Sequence, residues 1–143
     1  MKRLAITLVA ITAASQAFSE GMTTYSVDDS FEDVSFAIES AIVDRGLVVD
    51  YVSHVGEMLA RTGADVGSDV KLYDSADVYI FCSAVISRKV MEADPMNIGY
   101  CPYGIFVADQ GDGVIVGFRN YPDGAMQEVQ TLLASIVDEA IGD

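Results

Sequence analysis

The chain has 143 residues, 51% of them hydrophobic and 21% charged, with 8 basic against 22 acidic side chains and a formal net charge of −14. That length suits one domain around one core, and the apolar fraction excludes a disordered chain. A charge this negative repels phosphate backbones and anionic lipid heads, which sets aside nucleic-acid and membrane-surface binding.

Lys2 and Arg3 form a positive start, residues 4–14 an apolar stretch diluted by Thr7 and Thr12, and Ala17-Phe18-Ser19 places small residues two apart. This is the pattern a signal peptidase reads. Crossing a bilayer takes about 20 apolar residues, so neither this stretch nor any later one is long enough for membrane insertion. Residues 1–19 are expected to be a signal peptide cut between Ser19 and Glu20. Residues 20–143 are then a single exported domain, periplasmic or secreted.

Residues 23–27 read as a short strand. Ser30-Phe31-Glu32-Asp33 is a helix entry with Ser30 as N-cap and Asp33 in the third helical position. Phe31, Val34, Ile38, Ala41 and Ile42 then share one helical face, which Gly46 closes. Residues 47–55 alternate as a strand, with Leu47, Val49, Tyr51 and Val55 on one side and Val48, Asp50, Val52 and His54 on the other. A short helix around residues 57–61 and a polar connection lead to an apolar strand at residues 78–82. Ser83 caps a helix whose buried stripe is Ile86, Val90 and Ala93, and Pro95 stops it. Residues 104–108 and 114–119 flank a turn-rich pentad and form a β-hairpin. The last helix carries Met126, Val129, Leu133, Ile136, Val137 and Ala140 on one face. The hairpin makes the sheet at least partly antiparallel and the class α+β.

Three stretches resemble the bacterial Domain of Unknown Function 302 family: the helix-Gly-strand of residues 31–52, the strand of residues 78–81 with its following helix, and Pro102 before the hairpin. His54 occupies the place of that family's His after the second strand. The chain reads Phe81-Cys82-Ser83-Ala84 where most members have Phe-Gly-Asn-Pro, and Cys101-Pro102 where Leu-Pro is usual, so it is similar to a Cys-containing, exported subgroup. The resemblance implies a β-α-β(4)-α fold, an antiparallel sheet covered on one face by helices, and a homodimer. It implies no particular chemistry.

Export changes what Cys82 and Cys101 mean, because thiols outside the cytoplasm oxidise and stay oxidised. They are separated by 18 residues and belong to no Cys-x-x-Cys pair. On antiparallel strands both lie at one sheet end, where Cα atoms can approach the roughly 4.4–6.8 Å of a disulfide. Three readings stand: a structural disulfide, a redox-active or metal-binding pair, and two buried reduced thiols. In a redox pair Cys82 is the expected nucleophile, because it precedes a helix N-terminus whose dipole favours thiolate.

His54 is the only His; it can bind a metal or haem iron, act as a general acid–base, or simply be a polar strand-end residue. Met58, Met91 and Met96 add soft sulfur of the kind copper takes beside thiolate and imidazole, although methionines at helical spacing commonly fill core gaps. Arg88 and Lys89 are adjacent cations that can steer a small anion or be ordinary surface. There is no Ser-His-Asp order, P-loop or dinucleotide fingerprint. Asp109 and Asp112 lack the oxygen ladder of an EF-hand.

The expectation is an exported accessory protein without enzymatic activity. It would bind a small molecule, a metal (copper) or haem where His54, Cys82, Arg88, Lys89, Met91 and Cys101 converge. The alternatives are a thiol–disulfide redox protein on Cys82 and Cys101, and a disulfide-stapled dimeric interaction module.

Overall fold

The computed structural model describes residues 16–19 and 21–142, with side chains from Gly21 onward. Residues 1–15 and Glu20, and with them most of the expected signal peptide and one side of its cleavage point, lie outside the described residues.

Local signals build the first helix, α1 (Phe31–Asp44), as read. The Asp33 amide donates to Ser30 Oγ at 3.1 Å, and the Ser30 hydroxyl donates to the Asp33 carboxylate at 2.8 Å. At the other end the Gly46 amide donates to the Val43 carbonyl and the Leu47 amide to that of Ile42. Those two bonds satisfy carbonyls that a helix end otherwise leaves open. Ser83 likewise caps α3 (Ala84–Ala93), accepting from the Ile86 amide.

The strands are β1 (Gln16–Ser19), β2 (Met22–Val27), β3 (Val48–Ser53), β4 (Ser75–Cys82), β5 (Tyr103–Asp109) and β6 (Val114–Arg119). They form one sheet in the order β1-β2-β6-β5-β4-β3, with every neighbouring pair antiparallel. From β2 onward this is the β-α-β(4)-α, α+β arrangement. The edge strand β1 was not foreseen; it falls inside the segment read as the leader.

One face of the sheet carries the core. Ile38 and Ile42 of α1, Val90 of α3, and Leu133, Ile136 and Val137 of α4 (Gln127–Ile141) meet Tyr25, Phe81, Ile105, Val107, Val116 and Phe118 from the strands. Each such side chain, fully buried, contributes roughly 1.5–3 kcal/mol, which is why the helical stripes dictate which sheet face is covered.

In β3 the alternation read from sequence fails. Val49 pairs with Phe81 but Tyr51 pairs with Ile80, so Asp50 is the extra residue of a bulge. A bulge resets the side-chain period of two. Leu47, Val49 and Val52 therefore pack on the core, while Tyr51, expected beside Val49, is turned outward and 63% exposed. The strand also ends at Ser53, and Val55 begins α2 (Val55–Thr62) instead of extending β3.

Candidate functional site

The two cysteines come together as the antiparallel register requires. Cys82 ends β4, and Cys101 stands two residues before Tyr103, which opens β5 and pairs with Phe81. Both are free thiols, and Cys101 is near enough to act on the titration of Cys82. Burial, and after it the hydrogen bond and charge of Cys101, pushes the Cys82 thiol up to about 11. A shift in that direction works against the thiolate expected at Cys82. Desolvation disfavours the charged form, and here it outweighs the helix dipole. The adjoining elements are firmly packed. Tyr103 exchanges a 2.8 Å hydrogen bond with Ser87 of α3, and its ring meets Tyr121 edge-on at 6.1 Å.

The remaining candidate residues do not converge on this pair. Val48 pairs with Cys82 and Ser53 with Val78, which leaves His54 roughly 17 Å along the sheet from the thiols at about 3.3 Å per residue. A single site containing His54, Cys82 and Cys101 is therefore corrected to two separate places. Arg88 pairs with Glu92 one turn on in α3, and Lys89 with Glu128 of α4. Met91 packs its side chain against the core. These three belong to the helical side of the molecule, and both cations already have carboxylate partners. Met58 lies on α2 and Met96 in the exposed 3-10 turn Pro95–Tyr100. Among the described residues, no group of three His, Cys, Asp or Glu side chains could hold a metal ion.

His54 is instead the residue before α2, and its Nδ1 lies 2.8 Å from Asp77 Oδ1 of β4. The hydrogen bond to Asp77, then that carboxylate's charge, raises the imidazole above its ordinary 6.5, with Glu57 adding a smaller push and desolvation opposing. A folded value above the unfolded one contributes stability that is fully present below the unfolded value and is lost as pH rises through the folded one. The melting-temperature advantage of the wild type over His54→Gln is therefore expected to be larger at about pH 5.5 than at about pH 8.5. An advantage that stays constant across that window would show that the pair carries no such linkage.

Asp77 also lines a feature that sequence reading missed. The sheet face away from α1 and α4 bears a groove of about 420 Å³, floored and walled by Met22, Val78, Phe106 and Ile115, with Val55 and Tyr73 at its side. Gly117 makes the floor possible. A Cβ there would lie 2.6 Å from the Phe106 ring and 2.7 Å from the Thr23 carbonyl oxygen. The signal was present in β4, β5 and β6, where both alternating sets are apolar. An antiparallel strand covered on one side only is expected to alternate with polar residues. Val78, Ile80, Phe106 and Ile115 occupy the positions where such polar residues belong.

Among the described residues, no helix is long and apolar enough to cross a membrane. No curated protein matches the chain. In fold it is similar to the uncharacterized conserved protein DUF302 from Bacillus stearothermophilus, whose crystal structure superposes with a TM-score of 0.69 at 15% identity. That likeness covers 85% of this chain and 99% of the other. The sequence model of the domain of unknown function DUF302 matches residues 23–141, every element from β2 to α4, and the chain belongs to that family.

Proposed function

We propose that this is an exported accessory protein that binds a small, largely apolar ligand in the groove on the open face of its sheet. The groove itself supports the reading. Its volume of about 420 Å³ falls within the roughly 300–1,000 Å³ of small-molecule sites, and such sites combine apolar walls with a few placed polar groups. Here the polar residues of the lining include Thr24 and Gln110.

Titration with Nile red, a neutral dye that fluoresces in apolar surroundings, tests this. Saturable uptake of one dye per chain is expected. Ile115→Glu should weaken it at least about tenfold, since an isolated charge among apolar walls is costly to desolvate. Met22→Glu changes a residue that is 44% exposed, so the fold tolerates it, and it should give a loss of the same sign. Uptake that does not saturate, or that ignores both substitutions, overturns the reading.

A second reading rests on the nearness of the two thiols. In an oxidising compartment Cys82 and Cys101 close a structural disulfide across the 83–100 excursion and stabilise the fold by about 3 kcal/mol on loop-entropy grounds. The raised Cys82 pKa supports a static bond over an exchanging one, because a thiol that resists ionising is a poor leaving group. Protein taken from the periplasm should have a mass two hydrogens below the reduced value, and the Cys82→Ser/Cys101→Ser variant should lose roughly that stability. Two free thiols in the exported protein would refute it. The homodimer implied by the family resemblance belongs to the same proposal, and light scattering on the purified domain decides it.

A further inference from the structure

We propose that the outer edge of β2 joins two copies of this chain, antiparallel about Thr24, once the leader and β1 with it are cut away. This rests on the proposed cut between Ser19 and Glu20 and on the homodimer reading, and it names the surface the dimer uses. Three observations point the same way. The edge already takes a strand, because residues 16–19 pair with residues 22–25 in a regular antiparallel register. Strand edges are ordinarily blunted by charges, prolines or bulges, and β2 has none of these. Its sequence Met-Thr-Thr-Tyr-Ser-Val is neutral, and every residue of it pairs with β6 without a shift. The opposite edge of the sheet, β3, is broken by the bulge at Asp50. The backbone then sets the register. The Asn120 amide donates to the Gly21 carbonyl, so the alternation of an antiparallel pair turns Gly21, Thr23 and Tyr25 towards β6 and Met22, Thr24 and Ser26 outward. Pairing about Thr24 sets Met22 opposite Ser26 of the partner subunit and engages every outward residue of both strands, each opposed pair exchanging both of its N–H···O bonds. Met22 and Thr24 line the groove, and opposed residues share a sheet face, so the join lays two grooves side by side on one open face.

Protein taken from the periplasm provides the test. Its mass is expected to start at Glu20, and light scattering to give twice the chain mass. Thr24→Pro removes an amide that faces away from β6, and proline is tolerated at such a position of an edge strand. The variant should dissociate at a concentration at least about tenfold higher than the wild type, while its far-ultraviolet spectrum and cooperative unfolding stay as they were. Thr24→Cys and Ser26→Cys check the register without relying on that variant. Opposed Cα atoms of a hydrogen-bonded pair stand about 5.5 Å apart, within disulfide range, so Thr24→Cys should give a covalent dimer on a non-reducing gel. Ser26 and its copy would be offset along the strands by roughly 13 Å at about 3.3 Å per residue, so Ser26→Cys should remain uncrosslinked. A dimer that keeps its strength in Thr24→Pro, or that cross-links as readily through Ser26→Cys, overturns the inference and leaves the homodimer reading standing. A mass that still includes residues 16–19 overturns it too, because the edge then stays covered by β1. A monomer brings down both the homodimer reading and this surface.

Discussion

Phe118→Ala is expected to lower the free energy of unfolding by about 3–5 kcal/mol. Phe118 lies on the covered face of β6, is 1% exposed, and holds its ring 6.4 Å from that of Tyr25 on the neighbouring strand. Truncation removes the transfer energy of the ring and leaves a void, which the sheet cannot close because β2 and β5 clasp β6 on both sides. A domain of this size has about 5–15 kcal/mol to lose, so the variant sits near the edge of folding. Its melting temperature should fall by roughly 12–20 °C, at about 4 °C per kcal/mol. Phe118→Leu, which keeps most of the volume, should cost less than about 1.5 kcal/mol. Urea unfolding of the two variants checks both values, and a Phe118→Ala loss no greater than the Leu variant's would place this residue outside the cooperative core.

Gly56→Ala pits helix propensity against packing. Gly56 lies in the first turn of α2, where alanine is intrinsically better by about 0.8–1.0 kcal/mol, so propensity by itself predicts a gain. Yet an added Cβ would stand 2.6 Å from the Ala76 amide nitrogen and 3.3 Å from the Ser75 carbonyl carbon. These are backbone atoms of a paired strand and cannot swing aside as a flexible side chain would. Forcing the helix off β4 costs about 1–3 kcal/mol beyond the propensity gain, and the net effect is expected to be destabilising. Val55, next to Gly56, lines the groove, so Nile red affinity should change in the same variant. A rise in the urea midpoint would show that α2 is free to move.

Sequence and structure agree where the determinants are local or strongly periodic. The Ser30 cap, the stop at Gly46 and the buried stripes of α1 and α4 were all legible, because capping bonds and a 3.6-residue period involve residues within a few positions of each other. The hairpin followed from turn chemistry, and the approach of Cys82 to Cys101 from the antiparallel order that the family resemblance implied. Tyr51 went to the wrong face because a bulge is a property of the pairing with β4. The run Val48-Val49-Asp50-Tyr51 alternates smoothly by itself and becomes irregular only against Phe81 and Ile80.

The candidate site divides along the same line. From composition and residue order alone came one α+β domain, a sheet at least partly antiparallel and an acidic surface, while the fully antiparallel sheet covered on one face, and with it the shared sheet end of the cysteines, was what the family resemblance implied. The first three features rest on turn geometry, helical period and charge balance, all written along the chain. The tertiary structure decided that His54 stands far from the cysteines and beside Asp77, that Arg88 and Lys89 are taken up by Glu92 and Glu128, and that the open sheet face carries an apolar groove. Apart from the local Arg88–Glu92 pair, these depend on residues distant in sequence meeting in space, the groove across strands β2, β6, β5 and β4. Which side chains share such a surface is set by sheet order and register, and those are fixed only when the helices choose the face they cover.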